Sequence, residues 1–240
     1  MHRMRPEPSP ASGELHDSVL TALGTAVISG RLAPGSVLTL DALCRQYDVS
    51  RSVAREAVRV LESMGLLASR RRVGVTVLPR EAWNVFDPRV IRWRLDGAER
   101  VSQLLSLSEL RQGIEPVAVA LAAQRATPEQ CRRMAVAVSD MAVHGRTGDL
   151  EPYLLADQDF HRTLLEASGN EMLAALGDVV SEVLDGRTHH GLMPDRPNPA
   201  AIALHEEVAR AVRDRDPVAA ERAMREIIDE ASAAMADLKS

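Results

Sequence analysis

The chain has 240 residues, more than one ordinary domain of ~150 and less than two large ones. Its 45% hydrophobic and 26% charged content excludes a disordered chain, and with six aromatics the core must be built from Ala, Val, Leu, Ile and Met, which favours packed helices. A net charge of −5 argues against nucleic acid only as an average: residues 1–80 hold eleven Arg against seven acids, and residues 81–240 hold eighteen cations against twenty-seven. Such a split points to a nucleic-acid-binding portion joined to something else. Cys44 and Cys131 form no spaced pair, which excludes a zinc ribbon, and the longest apolar run, Val117–Ala123, cannot span a bilayer. Residues 1–14 lack an apolar signal core and read as a flexible Pro/Ser tail, so a cytoplasmic protein with no membrane partner is expected.

From Leu15 to Ser29, the positions Leu15, Val19, Leu23, Ala26 and Val27 recur every three or four residues, as on one face of a helix, with Gly30 as its stop. Pro34-Gly35 marks a turn. Thr39 or Asp41 caps a short helix through Tyr47, with Leu40, Leu43 and Cys44 inward and Arg45 outward. After the turn at Asp48-Val49, Ser50 is an N-cap for a helix from Arg51 to Met64, with Val53, Ala57, Val60, Leu61 and Met64 buried. Arg51, Arg55 and Arg59 share a face at i, i+4 and i+8, with Ser52 beside them. Stacked cations repel, so the face is either a solvated surface or one that meets phosphates. Leu66–Ala68 and Val73–Leu78 read as strands around the basic tip Ser69–Arg72, the wing of a winged helix-turn-helix, where Gly74 would let the backbone approach DNA.

The segments "ISGRLAPGSVL", "LCRQYDVSRSVAREAVRVLESMGLL" and "RRRVGVTV" resemble, in order and spacing, the winged helix of the GntR family. The resemblance implies a DNA-binding domain over residues 15–80. Arg45, Ser50, Arg51, Ser52, Arg55 and Arg59 would then face the major groove, and Arg72 and Gly74 the minor groove. The family's usual wing carries a proline where this chain has Arg71-Arg72-Val73-Gly74.

Asp87-Pro88 starts a short helix, Arg89–Leu95, flanked by Trp83 and Trp93 and read as a linker over residues 81–97. Residues 98–240 then carry six or seven helical patterns: Ser102–Ala126 with a kink near Pro116, a capping box at Thr127–Gln130 opening a helix to His144, a helix ending at Ala167, Glu171–Asp185, and two more opened by Asn198-Pro199 and Asp216-Pro217. Gly186–Pro197 reads as a loop containing solvated His189 and His190. The fold class is therefore mainly α, an N-terminal winged helix followed by an antiparallel helical bundle. Asp157 and His161 share a helical face, and His205 lies on a later helix; a D-x-x-x-H pair either chelates a metal or is a simple salt bridge.

The stretches "ELRQGIEPVAVALAAQRAT", "DQDFHRTLLEASGN" and "LHEEVARAVRDRDPVAAERAM" resemble the FCD effector domain of the FadR branch of that family. The resemblance implies a divalent metal (Zn, Ni or Mn) on Asp157, His161 and His205, with Ile227 standing where the family's last histidine falls. Arg111 matches an arginine that such domains point into the pocket; alternatively it forms a surface pair with Glu115. The linker "EAWNVFDPRVIRWRL" resembles that of regulators of galactonate and gluconate use, which implies a sugar acid as effector. The expectation is a homodimeric repressor that binds a pseudopalindromic operator in double-stranded DNA and is released by a small carboxylate held by Arg111, Asp157, His161 and His205. No catalytic residue is expected. The rival is a metal-dependent enzyme with a DNA-binding appendage.

Overall fold

The structure, a computed structural model, describes residues 12–191, 193–194 and 196–236. Residues 1–11 of the expected tail lie outside them. The chain divides after Gly97 into two compact units.

The first unit is built from α1 (Ser12–Ile28), β1 (Val37–Leu38), α2 (Leu40–Tyr47), α3 (Arg51–Ser63), β2 (Leu67–Arg70), β3 (Gly74–Val77) and α4 (Pro88–Leu95). Each short helix has a local reason to start. Thr39, rather than Asp41, accepts from the Ala42 amide, Ser50 from Val53 and Asp87 from Arg89. Asp48, in the left-handed region at φ 50°, ends α2. Leu20, Leu23, Leu43, Ala54, Leu61, Leu66, Val75 and Trp93 share one core. The buried stripe of α3 is Ala54, Ala57, Val58 and Leu61, whereas the expected Val53 and Val60 are only half-buried. The sheet is antiparallel in the order β1-β3-β2, with Val37 opposite Thr76 and Arg70 opposite Gly74. β1 is an addition to the expected elements. It also explains Gly74: at φ +118° a Cβ there would lie 2.6 Å from the Leu38 carbonyl oxygen, so the close approach this glycine permits is to β1. The expected linker helix, α4, packs on α1, and Trp93 sits so close that a Cβ on Gly24 would lie 2.3 Å from its ring.

The second unit is a bundle of α5 (Arg100–Arg125), α6 (Pro128–Thr147), α7 (Leu150–Ala167), α8 (Glu171–Ala174), α9 (Gly177–His189), α10 (Pro199–Arg213) and α11 (Pro217–Ala236). The capping box at Thr127 and Gln130 forms as expected, and Asn198 and Asp216 accept from the amides that open α10 and α11. α5 runs uninterrupted through Pro116. Val117 is half exposed, because the inward face of α5 follows Leu104, Leu107, Arg111, Glu115, Ala118 and Ala122. Two expectations need correction. The single helix expected over 171–185 is two, α8 and α9. And α6 and α9 continue through Gly145 and Gly186, both buried, so His189 is helical and paired with Glu151 at 2.7 Å and Asp185 at 3.3 Å. Gly145 is small for a packing reason, since a Cβ there would press on Ile202 at 2.9 Å.

Candidate functional site

Two places collect the residues singled out from the sequence. The first is the outer face of α3 with the β2–β3 turn. Ser50 caps α3 and also contacts the Ser52 hydroxyl at 2.8 Å, so both serines are fixed at the helix start. Arg45, Arg51, Arg55 and Arg59 are all exposed. The arginine row is less bare than its spacing implies: Arg51 lies 3.3 Å from Asp41 on α2, and Arg59 lies 3.8 Å from Glu56. Arg55 has no carboxylate partner among the described residues. At the tip, Arg70, Arg71 and Arg72 are exposed, with Arg72 in the left-handed region at φ 67°. That turn projects cations away from the sheet core of Val75 and Val77. A helix start bearing serines and an unpaired arginine, beside a cationic hairpin, suits phosphates and base edges.

The second place is the middle of the bundle. Asp157 and His161 on α7 and His205 on α10 are buried, and one ligand atom from each falls within 4.8 Å of the others. The Asp157 Oδ1 atom lies 3.4 Å from His161 Nε2 and 3.3 Å from His205 Nε2. Neither Asp157 Oδ1 nor His205 Nε2 has a hydrogen-bond partner among the described residues. Buried polar atoms are rarely left so. The arrangement around them fixes which atoms point inward. The His205 ring contacts the Ala201 carbonyl oxygen at 2.7 Å through Nδ1, which leaves Nε2 as the inward atom. His161 Nδ1 lies 2.7 Å from Glu115 Oε2, which leaves its Nε2 facing the same point.

Glu115 is held in turn by Arg111, whose Nε donates to Oε1 at 2.6 Å and whose Nη2 donates to Oε2 at 3.3 Å. The pair is 2% and 0% exposed, so both readings of Arg111 are half right: it points inward, and its partner is Glu115. Burial raises the Glu115 pKa, but the charges of Arg111 and His161 outweigh it and lower the value to about 2. Burial likewise opposes ionisation of Asp157, yet the two facing imidazoles hold it well below the usual carboxylate range. His161 is pushed down by burial and more strongly up by Glu115 and Asp157, so its net shift is upward. His161 Nε2 also lies 3.4 Å from Arg111 Nη2. Two imidazole nitrogens and one carboxylate oxygen that converge on one point, the imidazoles oriented from behind through Nδ1, fit a divalent cation of the zinc, nickel or manganese type.

A cavity of about 60 Å³ opens on this centre. Ile227 of α11 lines it, at the place where the sequence reading expected a fourth ligand to be missing. Sequence reading missed Tyr153, Arg187 and Glu230, which also line it. Arg187 was hidden because its segment read as a loop. Tyr153 and Glu230 carry no pattern that separates them from ordinary helix residues.

The comparisons with known proteins agree with this division. Residues 15–77 match the gntR family of bacterial regulatory proteins, and residues 106–230 match the FCD domain. The chain is 30% identical over 209 residues to the galactonate operon transcriptional repressor of Escherichia coli K12, covering 86% of this chain and 90% of that protein. It is 34% identical over 157 residues to the HTH-type transcriptional regulator LutR of Bacillus subtilis, covering 65% and 69%. Among solved structures, Streptococcus agalactiae GntR aligns with a TM-score of 0.50 at 25% identity, covering 91% of this chain and 99% of that one. Escherichia coli McbR/YncC shares the fold, with a TM-score of 0.56 at 19% identity, covering 94% and 99%. The two curated relatives are named as transcriptional regulators, which removes the enzyme alternative. The chain belongs to the gntR family of bacterial transcriptional regulators, with a DNA-binding winged helix followed by an FCD domain.

Proposed function

We propose that the protein is a repressor released from its operator by a small organic acid bound at the Asp157–His161–His205 centre, alongside a divalent metal held by those three residues. The observation that carries this reading is the pair of buried, unpartnered ligand atoms, Asp157 Oδ1 and His205 Nε2, facing a cavity inside the bundle. The metal would supply a positive charge to which oxygens of the acid can bind. Sugar acids are the favoured class, because the relative at 30% identity is named for the galactonate operon.

Met193, Pro194 and Pro197, which lie in the connection between α9 and α10, line the cavity, so an occupant that touches them would link occupancy to the arrangement of that connection. On the DNA side, α3 would enter the major groove with Arg45, Ser50, Arg51, Ser52, Arg55 and Arg59 toward the duplex, and Arg72 and Gly74 would lie at the minor groove. A homodimer would match a pseudopalindrome through its two-fold axis.

The test is operator binding by the full chain with and without galactonate or gluconate. The wild type should lose affinity when the acid is added. The double variant Asp157→Ala/His205→Ala should bind operator yet lose both the response and metal retained through dialysis, read by elemental analysis. A double variant that still responds would place the effector elsewhere.

A further inference from the structure

We infer that Arg187 on α9, and not Arg111, is the residue that receives the effector's carboxylate. This rests on the proposed reading of the bundle as an organic-acid site and names the group that would make it selective for acids. Both arginines line the cavity, but their situations differ. Arg111 already spends Nε and Nη2 on the two oxygens of Glu115, inside a pair with almost no solvent contact. A fork engaged in this way has no second edge to offer a planar carboxylate without releasing Glu115. Arg187 makes no ion pair among the described residues, and its Nε is shut off from solvent with no hydrogen-bond partner.

Neither acid of the cavity wall makes an ion pair with Arg187. Asp157 faces two imidazoles, and Glu230 accepts from the Asn198 side-chain amide at 3.3 Å. Arg187 is therefore a half-buried cation of the cavity wall that no described carboxylate contacts directly, a place that a ligand's carboxylate can fill. Burial and then the Arg111 charge lower the affinity of Arg187 for its own proton, by more than the charges of Asp157 and Glu230 raise it. The residue also sits well for the task. It is in the last turn of α9, three residues after Leu184, which lines the same cavity, so the helix places the apolar and cationic parts of the wall together. An acid with a carboxylate at one end and hydroxyls at the other would be read from both sides, the carboxylate at Arg187 and the hydroxyls at the Asp157–His161–His205 centre.

The experiment uses the full chain, with galactonate and gluconate as acid probes and galactose and glucose as their uncharged counterparts, followed by titration calorimetry and by thermal melting of the bundle. In the wild type an acid should bind and its sugar should not. Arg187→Met should weaken acid binding at least thirtyfold and erase the preference for acid over sugar, and Arg187→Lys should recover part of it. Without ligand, Arg187→Met should melt at the wild-type temperature or above, because a half-buried cation that no described carboxylate contacts has been removed. An acid that binds Arg187→Met as tightly as wild type would overturn the assignment and leave the organic-acid reading standing. A fall of several degrees in the unliganded melting temperature would show that Arg187 holds the fold, and would also overturn it. If neither acid binds the wild type, the sugar-acid reading fails, and the role of Arg187 fails with it.

Discussion

Glu115→Gln should destabilise the bundle by about 3 kcal/mol near neutral pH, although it removes only a charge and no volume. Two routes give that size. A carboxyl lowered from 4.5 to about 2 by its folded surroundings is stabilised by about 3 kcal/mol, at 1.36 kcal/mol per unit. Independently, taking one partner from a buried ion pair leaves the other uncompensated, at ~3–5 kcal/mol. Arg111, 2% exposed, would be the charge left behind. With a urea slope of ~2 kcal/mol per M for a unit of this size, the midpoint should drop by about 1.5 M. Circular dichroism at the helical band is the appropriate signal, because both tryptophans lie in the first unit and their fluorescence follows that unit instead. The pH dependence tests the cause. Because the folded pKa is depressed, the stabilisation is complete above about 4.5 and disappears as pH falls toward 2, so the gap between wild type and variant should shrink to about half near pH 3.3. His161 does not confound this window. Its shift is upward from 6.5, so its contribution is fully present throughout the acid range and is lost only as pH rises through the folded value. A gap below 1 kcal/mol at pH 5, or one that is the same at pH 3 as at pH 5, would refute the reasoning.

On the DNA face, Arg55→Ala should weaken operator binding by ~1–3 kcal/mol and lower the salt slope by about one, with smaller effects for Arg51→Ala, whose charge is already shared with Asp41. Electrophoretic shifts at several salt concentrations check this, and equal losses from both variants would show that the Asp41 contact gives way on DNA. In the bundle, Ile227→His should tighten metal binding by about tenfold, ~1.4 kcal/mol, by adding a nitrogen beside the three ligands. Competition with a chromophoric chelator measures this, and an unchanged affinity would mean that the α11 position does not reach the ion.

What the sequence shows well is what depends on near neighbours. Ser50 followed by Arg51-Ser52-Val53 is a cap plus a helix start whatever the rest of the chain does, so α3 and the basic turn after it were legible. The Asp157–His161 spacing was legible for the same reason, and His205 joined it through resemblance. What failed were readings that depend on distant packing. β1 has two residues, too few for any alternation, and exists because β3 offers it a pairing edge. Gly145 and Gly186 read as helix stops because glycine costs a helix ~1 kcal/mol, yet both lie inside helices, where they are buried. Extending α9 past Gly186 is what turned Arg187 from a loop residue into part of the cavity wall. Arg111 and Glu115 at i, i+4 look the same on a surface helix as in a core, and only burial separates a pair worth a few tenths of a kcal/mol from one that holds a site together.

The polar centre draws residues from five helices: Glu115 from α5, Asp157 and His161 from α7, Arg187 from α9, His205 from α10 and Ile227 from α11. Around it the bundle is apolar and close-packed, with Phe160 edge-on to both imidazoles at 5.5 and 5.0 Å. Packed helices move between discrete arrangements rather than deforming smoothly, so an occupant that presses on more than one of them would bias which arrangement is held. A tenfold loss of operator affinity requires only ~1.4 kcal/mol of coupling. Arg111 and His161 together hold the Glu115 carboxylate by about 3 kcal/mol, more than twice that. On the proposed reading, rearranging part of this centre would therefore be enough to drive a response, and an apolar core of the same volume would be more stable but would give a ligand no charged contact to rearrange.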